Sequence, residues 1–297
     1  MKTNPTSRIT TPTPASATEP VCRPIVDTHA HVFTDACAME EQRRYTPSAE
    51  APLEAYLTQL DRCGVPMGVL VQPSFLGTDN TYLLDAIARC PDRLRGVAVL
   101  SNAVSDETLE NMDARGICGL RYNLVGDDPE KLKKDEWRSL TRRVTSLGWH
   151  IEVHVDGTEL PGVVDTLAQQ DATIVFDHFG RPVPALGDRD PGFQRLITDG
   201  PSLPVWIKLS APYRFSDGIA DNFAAAFIET LGPERLMWGS DWPWTRFENS
   251  QTYEDCIGWL ARWFRNDWRA VERLNAASLS FFRFPQSARS KVANAIS

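Results

Sequence analysis

No two of the six cysteines stand two residues apart: they lie at positions 22, 37, 63, 90, 118 and 256, which excludes CxxC redox chemistry and zinc-finger spacing. They read as reduced thiols of a cytoplasmic protein, without disulfides. There is no apolar run of membrane-spanning length, so a bilayer segment is not expected. An excess of positive charge is missing too. The net charge of −8 argues against nucleic acid or an anionic membrane as the main partner. An acidic small molecule remains compatible with it, because a site can be locally basic on an acidic protein. The first residues, "MKTNPTSRITTPTPASATEP", contain no apolar core of a secretory signal. Residues 1–23 are expected to be a disordered or surface-lying tail, leaving 24–297 as one domain. A homo-oligomer is compatible with the sequence.

Histidine is also scarce, with five in 297 residues, and two of the five stand one residue apart in "VDTHAHVF" at 26–33. That run is the first of eight short β-rich stretches that alternate with helical patterns. The others begin at Met67, Leu94, Cys118, His150, Thr173, Val205 and Arg235. Between them lie segments such as "PLEAYLTQLDRCG", with Pro52 in its first turn and Gly64 at its end, and "TDNTYLLDAIARCP", with Thr78 as N-cap and Pro91 as stop. A last helical stretch, "WRAVERLNAASLSFF", closes the chain. With 42% hydrophobic residues a large core can be buried. Eight βα units of roughly 25–35 residues predict an α/β fold, a single (β/α)₈ TIM barrel. An open doubly wound sheet is disfavoured by the lack of a GxGxxG turn after any strand.

In such a barrel the chemistry sits at the C-terminal ends of the strands. His29 and His31 end strand one, His154 strand five and His178 strand six, and Asp241 ends strand eight. Strand alternation puts Asp27, His29 and His31 on one face, with Val26, Thr28 and Ala30 toward the helices. Likewise Arg121 pairs with Asn123, Glu152 with His154, and Lys208 with Ser210. A single histidine at a strand end is ordinarily a hydrogen-bonded structural residue; four on one rim with an aspartate point to a site. His150, deeper in its strand, reads as structural, and Asp27 as an orienter of a histidine. Glu152 and Lys208 read equally as a buried pair or as functional groups. Trp137 and Trp263 read as helix packing.

Asp27-Thr28-His29-Ala30-His31, "FDHFGRP" at 176–182 and "GSDWP" at 239–243 together resemble the amidohydrolase superfamily. "RRYTP" at 43–47, "FLGTDNTYLLDAIAR" at 75–89 and "GLRYN" at 119–123 are similar to its lactonase branch, over about residues 24–285. The resemblance implies hydrolysis of a small, carboxylated lactone. Asp241 would be the general base, and His29, His31 and His178 would polarise the carbonyl. Arg121 and Arg181, with Arg214 in support, would clamp a substrate carboxylate. Tyr45 and Ser74 would add neutral hydrogen bonds.

The resemblance is not complete. His154 stands where the metal-independent lactonases carry tyrosine, and it extends the substrate-facing set. It also completes a His29, His31, His154 and Asp241 set for one divalent ion, for which zinc is suited. Arg121 and Asn123 offer no bridge for a second metal. "NLVGDDPEKLKK" lacks a basic pair found after strand four in the relatives, and Trp244 replaces a histidine. Both changes point to a different lactone ring. The competing activities are metal-dependent decarboxylation of an aromatic or unsaturated acid and sugar-lactone isomerisation.

Overall fold

The computed structural model describes residues 23–215 and 218–285. The tail expected over 1–23 therefore lies, apart from Arg23, outside the described residues. Eight strands form one parallel sheet in sequential order: β1 (Val26–Ala30), β2 (Met67–Val71), β3 (Leu94–Ala98), β4 (Ile117–Asn123), β5 (His150–His154), β6 (Ile174–Phe176), β7 (Val205–Leu209) and β8 (Leu236–Trp238). Seven fall within the stretches expected from the sequence, and β4 begins one residue earlier than expected, at Ile117. The barrel closes just beyond β8. There the His31 amide donates to the Trp242 carbonyl at 2.8 Å, and the Asp241 amide to the His29 carbonyl at 2.9 Å. This is the (β/α)₈ TIM barrel predicted above.

The helices are α1 (Leu53–Cys63), α2 (Thr81–Arg89), α3 (Asp106–Ala114), α4 (Asp135–Ser146), α5 (Leu160–Ala168), α6 (Pro191–Asp199), α7 (Ile219–Leu231), α8 (Tyr253–Trp263) and α9 (Trp268–Phe281). Helix α1 stops at Gly64, whose φ of 66° a side-chain-bearing residue rarely adopts. Pro52 occupies its N-cap, one residue before the first turn. Helix α2 starts later than Thr78 suggested. Asn80 is its N-cap, and Asp79 Oδ1 accepts from the Thr81 amide, so the turn that launches the helix belongs to aspartate.

Leu70, Ile151, Ile174 and Ile207 face outward into the helix layer. Val26, Met67, Val69, Val97, Val175 and Met237 fill the barrel interior below the rim, where Phe282 and Phe284 seal it. Each such aromatic adds about 1.5–3 kcal/mol of burial. His150 belongs to this plug, its ring 5.0 Å from that of Phe281.

The alternation expected for β1 is interrupted. Val26 pairs with Met67 and Asp27 with Gly68, but Ala30 pairs with Leu70, so β1 carries one extra residue. The bulge turns Val26 inward and Asp27 outward, while His29 and His31 keep their place above the interior. Asp27 thus orients no imidazole. Its buried carboxylate accepts from the His29 and Ser240 amides, Ser240 Oγ, Tyr56 OH and Tyr253 OH. It ties β1 to the end of β8 and to helices α1 and α8. Gly239 completes the fit: a Cβ there would stand 2.7 Å from His29 Cβ.

Candidate active site

Three imidazole nitrogens and one carboxylate oxygen converge at the C-terminal mouth. His29 Nε2 lies 3.3 Å from His31 Nε2. Asp241 Oδ1 lies 3.6 Å from His29 Nε2, 3.7 Å from His31 Nε2 and 3.8 Å from His178 Nε2. The backbone of His178, Ala211 and Asp241 is left-handed there, with φ of 50°, 53° and 59°. Such conformations cost on the order of 1 kcal/mol or more each and are characteristic of functional sites.

The outer nitrogens decide what the inner ones can do. His31 Nδ1 is 2.7 Å from the Val71 carbonyl, which can only accept, so that nitrogen carries the proton. His178 Nδ1 is 2.8 Å from Ser210 Oγ. His29 Nδ1 is 3.1 Å from Asp177 Oδ1. It also lies 3.1 Å from Lys208 Nζ. Lys208 can only donate, so His29 Nδ1 accepts from it, while Asp177 Oδ1 accepts no hydrogen bond. Burial lowers the pKa of His29 well below its ordinary value, that of His31 to about 4 and that of His178 to about 3. All three imidazoles are therefore neutral near pH 7, and His31 turns its Nε2 lone pair toward Asp241.

Asp241 itself is fixed from behind. Its Oδ2 accepts from Tyr213 OH and, at 3.0 Å, from Arg214 Nη2. Burial would raise its pKa, but the pull of His178, Arg214 and His29 outweighs it and holds the carboxyl well below the usual range. Beneath the cluster lies a buried charge network. Lys208 Nζ bonds Glu152 Oε2 and approaches Asp177 Oδ1 at 3.7 Å, while Arg121 Nη2 lies 2.8 Å from Asp177 Oδ2. Above it opens a cleft of about 110 Å³, bordered by His31, His178 and Asp241.

The amidohydrolase family pattern matches residues 26–280 of this chain. The chain belongs to the amidohydrolase family. It is 34% identical over 228 residues to a 4-sulfomuconolactone hydrolase of Rhizobium radiobacter, covering 73% of this chain and 75% of the relative. It is 30% identical over 236 residues to the 2-pyrone-4,6-dicarboxylate hydrolase of Comamonas testosteroni, covering 73% and 76%. Among solved structures, a probable 2-pyrone-4,6-dicarboxylic acid hydrolase of Acinetobacter baumannii superposes with a TM-score of 0.83 at 37% identity, covering 88% of this chain and 99% of that one.

In this amidohydrolase the site residues named from the sequence all reach the mouth, but in two groups. His29, His31, His178 and Asp241 make the inner cluster. Tyr45, Ser74, Arg121, His154, Arg181 and Arg214 border the cleft around it. His154, anticipated among the metal ligands, has both nitrogens engaged elsewhere. Nδ1 lies 3.2 Å from Asn123 Oδ1, and Nε2 lies 3.0 Å from Arg181 Nη1. Among the described residues, the groups spaced to hold a metal are His29–His31–Asp241 and His29–Asp177–His178.

The anticipated anion clamps already hold acids of the protein. Arg121 holds Asp177, Arg181 holds Asp156 at 2.8 Å, and Arg214 holds Asp241. The Tyr45 hydroxyl donates to Glu248. Glu152 and Lys208 do form a pair, wholly buried, and it extends to a histidine of the cluster. Sequence reasoning did not single out Tyr213, Asp177, Arg44 or Arg246. Asp177 and Arg44 had signals, in "FDHFGRP" and "RRYTP"; Tyr213 and Arg246 had none. No helix among the described residues is long and apolar enough to cross a membrane.

Proposed function

We infer that the protein is a lactonase, opening a small acidic lactone at the His–Asp cluster, and that the cluster holds one divalent cation. The observation that carries the second part is the donor set. Nε2 of His29, His31 and His178 lies 3.6–3.8 Å from one carboxylate oxygen, Asp241 Oδ1, and the first two are 3.3 Å apart. Clustered imidazole nitrogens and a carboxylate oxygen are the ligand types a divalent cation such as zinc takes. His29, His31 and Asp241 offer ligand atoms close enough together to share one cation, and His178 approaches the same carboxylate oxygen at 3.8 Å. His29, His31, His178 and Asp241 would be its ligands, with His154 left on the substrate side. A cation so held supplies Lewis acidity toward the lactone carbonyl and lowers the pKa of a bound water.

The chain's own groups do the rest. With Oδ2 taken by Tyr213 and Arg214, Asp241 accepts the water proton on Oδ1, through the lone pair left over by the cation that the same oxygen would hold. Water oxygen bonds to the carbonyl carbon, the ring carbon–oxygen bond breaks, and the proton passes from Asp241 to the departing ring oxygen. The products are a carboxylate and a hydroxyl on one opened chain. The surrounding arginines favour substrates that carry negative charge, which agrees with the names of the relatives. The Acinetobacter baumannii structure is described with citric acid bound, a small polycarboxylate.

A panel of carboxylated five- and six-membered lactones, set against aromatic acids, tests the reading. A lactonase releases acid stoichiometrically, without carbon dioxide. Carbon dioxide release would make the enzyme a decarboxylase. A shifted lactone without acid release would make it an isomerase.

A further inference from the structure

Five arginines border the cleft: Arg44, Arg121, Arg181, Arg214 and Arg246. Three of them are answered by Asp177, Asp156 and Asp241. Behind them Lys208 is answered by Glu152. The three histidines of the cluster are neutral. That leaves two guanidinium charges uncompensated in the mouth of a protein whose net charge is −8.

The two are Arg44 and Arg246, and the fold brings them together. Arg246 Nη2 donates to the Arg44 carbonyl at 2.8 Å, and its guanidinium lies over the Tyr45 ring, 5.4 Å from the centroid. Arg44 Nη2 donates to Asn123 Oδ1 at 2.9 Å. Neither has a carboxylate partner among the described residues. The nearby Glu248 is taken by the Tyr45 hydroxyl instead. Asn123 Oδ1 also faces His154 Nδ1, and His154 Nε2 faces Arg181, so a chain of hydrogen bonds spans the cleft from Arg44 to Arg181. Burial and the nearness of Arg181, Arg121 and Arg246 lower the Arg44 pKa, outweighing the opposite pull of Asp156.

We propose that Arg44 and Arg246 form an anion subsite on the outer rim, which takes a carboxylate or sulfonate at the end of the substrate turned away from the His–Asp cluster. Two forked cations beside one another suit an oxyanion held by parallel N–H···O bonds. The subsite makes up for the basic pair missing after β4, and it selects lactones that carry a remote negative group. The proposal relies on the lactonase reading for the ring, but not for the anion.

The test is calorimetric titration of the full-length protein with citrate and with 3-sulfopropionate, in wild type, Arg44→Met, Arg246→Met and Arg44→Lys. Each methionine variant should bind at least tenfold more weakly, with Arg44→Lys recovering part of the loss. The probe that loses more identifies the native headgroup as carboxylate or sulfonate. With a hydrolysed dianionic lactone, KM should rise tenfold in the methionine variants while kcat changes less than threefold. Affinities for both probes within twofold of wild type in both methionine variants would overturn the subsite, and would leave lactone hydrolysis by the wild type untouched. A wild type that hydrolyses no lactone, with the tenfold losses intact, would keep the subsite and remove the ring.

Discussion

Arg121 Nη2 lies 2.8 Å from Asp177 Oδ2, and the two side chains are almost wholly removed from water. An arginine at the edge of a substrate cleft is thereby committed to the barrel itself. Arg121→Met should cost about 3–5 kcal/mol of stability, because it strands a buried carboxylate. Urea unfolding measures this. A variant as stable as wild type, but selectively weak toward acidic lactones, would return Arg121 to the role of clamp.

The ligand assignment separates two histidines that stand side by side, with ring centroids 5.5 Å apart. After loading with zinc and removal of excess metal, wild type should retain about one ion per chain, and His178→Asn should lose it. His154→Tyr should keep it, because His154 is engaged by Asn123 and Arg181. Elemental analysis decides. Loss of metal from the tyrosine variant alone would place His154 in the ligand set.

Asp241→Asn removes the proton acceptor while keeping its volume. Turnover should fall by about 10²–10⁴-fold, the range for loss of a general base. Citrate binding should not weaken in the same variant, because Arg214 is released from its carboxylate. Steady-state hydrolysis and titration of one preparation test both statements.

Lys208 and Glu152 sit in the barrel with no exposure. Lys208→Met or Glu152→Leu alone should destabilise by about 3–5 kcal/mol, each leaving a buried charge with only a longer contact, Arg121 at 3.8 Å from Glu152 or Asp177 at 3.7 Å from Lys208. The double variant should lose clearly less than the sum of the two. Additive losses in denaturant melts would show that the two charges are answered by other groups.

Much of this molecule can be read along the chain. The eight strands are legible because each contributes short apolar stretches to an interior and a helix layer that both exclude water. Alternation in β5 and β7 places Glu152, His154, Lys208 and Ser210 correctly for the same reason. In β1 it does not, because the bulge answers to partners far away in sequence: Tyr56, Ser240 and Tyr253 supply the hydroxyls that hold Asp27 outward. The arginines show a similar limit. All five look alike in sequence, and only distances across the mouth reveal that Asp177, Asp156 and Asp241 occupy three of them. Tyr213 escaped notice because its role depends wholly on where the turn after β7 meets Asp241.

The irregularity in the first strand bears on how such enzymes can be remodelled. Asp27 couples the strand bearing His29 and His31 to hydroxyls on the first and eighth helices, so these segments form one mechanical unit. Grafting the histidine strand between relatives without its two tyrosines should let the imidazoles drift, whereas the arginine-bearing loops above can be exchanged without disturbing them.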